Sequence, residues 1–220
     1  MQREPNLLKA ISPSATLAEL VYGTITALAV TNTLWLAIPS GPNADAVLIV
    51  AALGANTAWG VADAMIYLLT ISVENRRAYN LAISVRSMDD ESAMLAIVDD
   101  LSGTVFHTME DEDRNRWANA VHARLMRSEP HLQRLHASDY IGALSCFILS
   151  LAAAVPVLLP HLLLENVQSA VVAGNVVGLV MMSVLGYLWA GRMRTSRIRS
   201  VITMFLIGLT ILTVVIVFGG

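Results

Sequence analysis

The sequence predicts an all-α membrane protein: five transmembrane helices, with a helical cytoplasmic domain between the second and third. Three observations predict it. Hydrophobic residues fill 55% of the 220 positions and charged residues 14%, with a mean hydropathy of +0.61, whereas a soluble domain carries about a quarter charged residues. Five apolar stretches reach the roughly 20 residues needed to cross about 30 Å of hydrocarbon. Finally, five crossings bring every lysine and arginine to one side.

The first span is 17–38, "LAELVYGTITALAVTNTLWLAI". "PSGPNAD" closes it with two prolines and a glycine, the chemistry of a tight hairpin. The second span, 46–73, is expected to run on past the membrane as one helix through "VENRRAYNLAISVRSM". The third is 139–160, the fourth 167–191 after "PHLLLENVQ", and the fifth 201–218 after "RMRTSRIRS". Residues 74–137 are too polar to span. They predict two or three short helices: one over "DDESAMLAIVDDL" with Asp89 or Asp90 as N-cap, and one with Thr108 as N-cap, Asp111 at its third position and Pro130 near its end. Trp117, Val121 and Leu125 recur every four residues and predict its apolar face. The chain thus divides into 1–73 (N-terminal segment and spans one and two), 74–137 (cytoplasmic domain) and 138–220 (spans three to five).

Orientation follows from charge. Of the 14 basic residues, Arg3 and Lys9 precede span one, eight lie in 74–137 and four in 192–199, while the opposite loops have none. The positive-inside rule therefore puts the N-terminus and 74–137 in the cytoplasm and the C-terminus on the far side. The first twenty residues contain Pro5 and Pro13 and no apolar core, unlike a signal peptide. A bacterial inner membrane is the expected location. The net charge of −3 gives no basis for nucleic-acid binding, and the single cysteine, Cys146, excludes a disulfide framework. No nucleophile–base pair, phosphate loop or zinc spacing suggests an enzyme.

Asp63 is the most informative residue. An acid at the centre of a membrane helix costs about 2.5–3.5 kcal/mol on insertion scales and marks ion or proton paths. Asn56, Gly60, Asp63, Tyr67 and Thr70 share one helix face. Span one has a matching face with Glu19, Tyr22, Gly23, Thr26 and Thr33, and Asn32 lies nearby. Glu19 reads as an interfacial anchor or the mouth of a path. Threonines in such helices commonly bond their own backbone. Met65 is a candidate soft ligand near Asp63; Met181 and Met182 read as packing. In the polar domain, Asp89, Asp90 and Glu91, and Glu110, Asp111, Glu112 and Asp113, are candidate carboxylate ligands, with His107 one turn before Glu110. A solvated, helix-capping acidic face is the competing reading.

Several stretches resemble the vacuolar iron transporter family: "LAELVYGTITALAV" at 17–30, "GANTAWGVADAMIYLLTISVENRR" at 54–77, "ALSCFILSLAAAVPVLLP" at 143–160 and "RSVITMFLIGLTILTVVIVFGG" at the end. The resemblance implies a five-helix protomer that forms a homodimer and exchanges Fe²⁺ or Mn²⁺ for protons, with no tightly bound cofactor. It implies that Asp63 is the second-span acid and that cytoplasmic carboxylates gather the cation. Thr26 stands where that family has a first-span acid, and Tyr67 and Ile71 where it has a methionine and a glutamate. In this reading Asp63 binds the ion or proton, Thr26, Asn32, Asn56 and Tyr67 assist it, and cations leave the cytoplasm. Two alternatives use the same residues. One is a non-transporting scaffold or partner-binding protein that keeps the fold. The other is a carrier of organic cations held over Trp59 and Tyr67.

Overall fold

A computed structural model describes residues 11–37, 41, 43–102 and 108–218. Among them are seven helices and no strand: α1 (Pro13–Ala37), α2 (Ala44–Val85), α3 (Asp90–Ser102), α4 (Asp111–Arg127), α5 (Ala137–Leu163), α6 (Val167–Met193) and α7 (Arg197–Phe218). Five of them, α1, α2, α5, α6 and α7, are long and apolar enough to cross a membrane. Arg3, Lys9 and His107 lie outside the described residues.

The helix ends follow local chemistry. Pro13 occupies the first turn of α1, where its missing N–H costs nothing, and the Ser12 hydroxyl accepts the Ala15 N–H at 3.1 Å. Asp89 caps α3, accepting from Ser92 N at 3.3 Å and from the Ser92 hydroxyl at 3.0 Å. Asn166 caps α6 through Ser169 N at 2.9 Å. Arg194, at φ 52°, turns the chain out of α6. The linker before α7 is therefore shorter than the sequence suggests, because the helix already begins at Arg197. The Arg197 guanidinium lies 4.6 Å from the centroid of the Tyr187 ring, so the basic segment docks on α6 rather than remaining free.

The described chain forms two compact units, 1–67 with 137–220, and 68–136. In the first, α1 packs against α5, α6 and α7. Its core is Ala27, Leu28, Ala52, Ala154, Val157 and Leu158. Small residues set the spacing, as expected where lipid gives helices no hydrophobic drive to associate. A Cβ on Gly23 would come within 2.5 Å of the Ser150 carbonyl oxygen, so α1 and α5 approach there backbone to backbone.

The second unit contains the last part of α2 with α3 and α4. As expected, α2 is one uninterrupted helix of 42 residues. Val85, Ala93, Ile97 and Ala118 form its core, with Leu81, Val98, Val121 and Leu125 packed around. Two expectations need correction. The buried face of α4 is carried by Ala118, Val121 and Leu125, and Trp117 is 53% exposed. The three-and-four spacing through Ala118 outweighs side-chain size. Nor does α4 start from Thr108: Glu110 holds the N-cap position without a side-chain bond, and Asp111, Glu112 and Asp113 fill the first turn, where the helix dipole favours negative charge. Arg77 pairs with Asp100 at 2.9 Å, and Arg86 donates to the Ser128 carbonyl at 2.7 Å.

Gly23→Ala should destabilise the protein by about 1–3 kcal/mol through overpacking against α5. Gly54→Ala, where a Cβ meets open space, should be neutral or stabilising by up to about 1 kcal/mol. Thermal unfolding in detergent reads the difference; equal shifts would contradict the close approach.

Candidate functional site

Glu19 lies six residues into α1 and Asp63 near the end of the first unit's share of α2. Both are equally far in sequence from Gly41, which lies between the two helices, so helices running antiparallel put them at the same height. Their carboxyl groups interact directly, and the buried Cys146 thiol of α5 sits against Glu19. Glu19 Oε2 and Asp63 Oδ2 are each buried without a hydrogen-bond partner.

The surrounding strips explain how three helices meet there. On α1, Glu19, Gly23 and Thr26 recur at helical spacing; on α2, Asn56, Gly60, Asp63 and Tyr67 do. Both glycines take a residue of α5. Gly23 faces Ser150, and a Cβ on Gly60 would lie 3.1 Å from Phe147. One turn beyond Asp63, the Tyr67 phenol fills the space left by Gly142. The junction is thus made from small residues on each helix, with the acids on the two helices that flank α5.

The other residues singled out in the sequence fall into three groups. Asn56 is buried: its amide nitrogen donates to the Ala52 carbonyl at 3.0 Å, and its Oδ1 has no partner. Thr26 is half-buried on the Glu19 strip. Asn32 is buried away from the acids in a reciprocal amide pair, with its Nδ2 2.7 Å from Asn175 Oδ1 and the Asn175 Nδ2 2.9 Å from its Oδ1. Thr24 and Thr31 bond their own helix at Leu20 and Ala27. Met65 is 55% exposed, on the side of α2 opposite Asp63. Trp59 stands edge-on to Tyr22, ring centroids 6.5 Å apart.

The acids of 89–91 and 110–113 remain exposed, and most are used locally. Asp89 caps α3, Asp90 and Glu91 fill its first turn, Asp111 pairs with Arg114, and Glu112 and Asp113 both lie 3.4 Å from Arg116. Glu110 is exposed. Among the described residues, no three His, Cys, Asp or Glu side chains are placed to hold a metal ion together.

Sequence reasoning did not make three of these contacts. The sequence reads Glu19 as an interfacial anchor or a mouth, although its distance from Gly41 matches that of Asp63. Asn32 carries no sequence signal of its partner Asn175, 143 residues away. Asp45 and His161, which pair at 2.7 Å between the start of α2 and the end of α5, fall in the segments that separate spans in the sequence. No family model matches the chain, and no curated protein matches it significantly.

Replacing either Asn32 or Asn175 with leucine leaves the facing amide unpartnered away from water. Each single change should cost about 1–2 kcal/mol, and the double change should cost less than their sum, as coupled partners do. A double-mutant cycle by denaturant unfolding measures this; strict additivity would contradict the pairing.

Proposed function

We propose that this chain is a divergent member of the vacuolar iron transporter family that exports Fe²⁺ or Mn²⁺ from the cytoplasm in exchange for protons. The observation that carries the reading is the contact between Glu19 and Asp63, half-buried among apolar helices, each carboxyl keeping a buried, unpartnered oxygen. Two adjacent carboxylates repel strongly where water is scarce. A proton shared between them, or a divalent cation held by both, removes the repulsion. The two occupants exclude one another, and that exclusion is what an exchanger needs. Glu19, two turns before Thr26, brings to α1 the charge that Thr26 lacks.

In this reading the N-terminus and residues 74–137 face the cytoplasm, the C-terminus faces the other side, and the membrane is a bacterial inner membrane. The exposed acids of 89–91 and 110–113 raise the local cation concentration on the cytoplasmic side. Asn56 and Tyr67 line the approach to the pair, Thr26 offers a neutral oxygen on the same strip as Glu19, and water completes the cation's coordination. Two copies form the working homodimer within the bilayer.

A non-transporting scaffold is the second reading. It is favoured by the absence of a three-ligand metal cluster among the described residues.

The two readings separate in proteoliposomes. Asp63→Asn and Glu19→Gln should each lower proton-driven Mn²⁺ transport by about tenfold or more. Wild-type rates for Asp63→Asn at every pH tested would remove the exchanger reading. Mn²⁺ should also raise the thermal midpoint of the wild-type protein by mass action, but not that of Glu19→Gln; a wild-type protein indifferent to Mn²⁺ and Fe²⁺ would favour the scaffold.

A further inference from the structure

Asp45 opens α2 and His161 stands near the close of α5, at the end of the first unit away from Glu19 and Asp63. At 1.5 Å of rise per residue, Asp45 lies about 27 Å along α2 from Asp63. The His161 side chain is 1% exposed and that of Asp45 23% exposed, so the carboxyl is the part of the pair that reaches solvent. Asp45 Oδ1 is 2.7 Å from His161 Nδ1.

A carboxylate at that distance requires a proton on Nδ1 and so fixes the tautomer of the neutral ring. The lone pair then resides on Nε2. That atom is buried and has no hydrogen-bond partner. It looks towards α6 at Gly174, where a Cβ would lie 3.9 Å from Nε2 and 2.8 Å from the Val157 carbonyl oxygen, so only glycine leaves the room. An imidazole oriented through one nitrogen by a carboxylate is a stronger acceptor at the other, for a proton or a metal ion alike. The ring and Asp45 find no third His, Cys, Asp or Glu among the described residues. A metal ion would be under-coordinated here, whereas a proton needs one lone pair.

We propose that His161 Nε2 is a proton-binding station at the end of the bundle opposite the Glu19–Asp63 pair. This deepens the exchange reading and rests on it, since protons entering from that side need an acceptor there. The step forms one N–H bond and breaks none within the protein, and it turns the Asp45–His161 pair from net negative to neutral. Pro156 and Pro160 supply no N–H, so the carbonyls of Ala152 and Pro156 lose their usual donors inside α5.

The charged surroundings are sparse. Asp45 faces the ring from α2, and α6 presents Gly174, which does not titrate. Beyond Glu19, α1 carries no charge, and α7 carries none beyond Arg199. Glu165 is exposed in the connection after α5.

Nitrogen NMR of the full chain in lipid nanodiscs, with ¹⁵N-histidine and His161→Asn to identify the signal, tests the site without any transport. At alkaline pH the His161 ring should show a protonated Nδ1 and an unprotonated Nε2. On acidification Nε2 should take up a proton reversibly, and Asp45→Asn should abolish the tautomer preference. A ring protonated at Nε2 at alkaline pH, or one whose Nε2 stays unprotonated in acid, would overturn the proposal. In proteoliposomes, His161→Asn should lower proton-driven Mn²⁺ transport by about tenfold while leaving the Mn²⁺ thermal shift intact. Wild-type rates for that variant would remove the station from the exchange. Failure of the wild-type protein to move any cation, with the NMR result as expected, would remove the exchange reading and leave the proton site standing.

Discussion

Glu19 and Asp63 come from different helices and meet beside α5, among helices long and apolar enough to cross a membrane. Removing one ionised carboxyl from water is costly; removing two and placing them in contact adds their repulsion. The chain accepts this cost at one height of the bundle and builds the rest to make the contact possible. Gly23 and Gly60 let α1 and α2 close on Ser150 and Phe147 of α5, beside which the acids meet. Oxygens left without partners in such a place constitute a demand for a positive occupant. That demand is the physical basis for reading the site as a carrier rather than a brace.

The contrast with the Asn32–Asn175 pair sharpens the point. Those two amides satisfy each other in both directions and ask for nothing more. They lie in the same bundle, under the same dielectric, and act as an internal clasp between α1 and α6. Asp45 and His161 are intermediate, with one nitrogen satisfied and one open. Polar groups in the first unit therefore divide into closed pairs between helices and groups that keep an unpartnered atom. The open ones include the Glu19–Asp63 pair, Asn56 Oδ1 and His161 Nε2, with Asp45 and Asp63 about 27 Å apart along α2.

Much of the architecture was legible in the sequence, because apolar length and turn chemistry are local signals. The five long helices, the continuation of α2 beyond its span and the Asp89 cap all follow from such signals. The candidate site was only half legible. Asp63 announced itself as an acid in an apolar run, but Glu19 sits near a helix start, where an acid is ordinary. Its meaning depends on a partner reached only by counting outward from the hairpin. His161 was hidden for the same reason, since its neighbour is far away in sequence. On α4, the bulk of Trp117 drew attention to a position that points to solvent, while the small Ala118 carries the packing. Pattern reading finds faces; it does not tell which face a neighbour covers.

The most direct test concerns the occupancy of the carboxyl pair itself. Infrared difference spectroscopy of the purified protein, recorded at fixed pH before and after adding Mn²⁺, reads protonated and ionised carboxyl groups separately. The account predicts that Mn²⁺ removes a protonated-carboxyl band, raises carboxylate bands and releases protons to the buffer, and that Glu19→Gln and Asp63→Asn each abolish the change. A spectrum unmoved by saturating Mn²⁺ and Fe²⁺, or the same change in both variants, would contradict it.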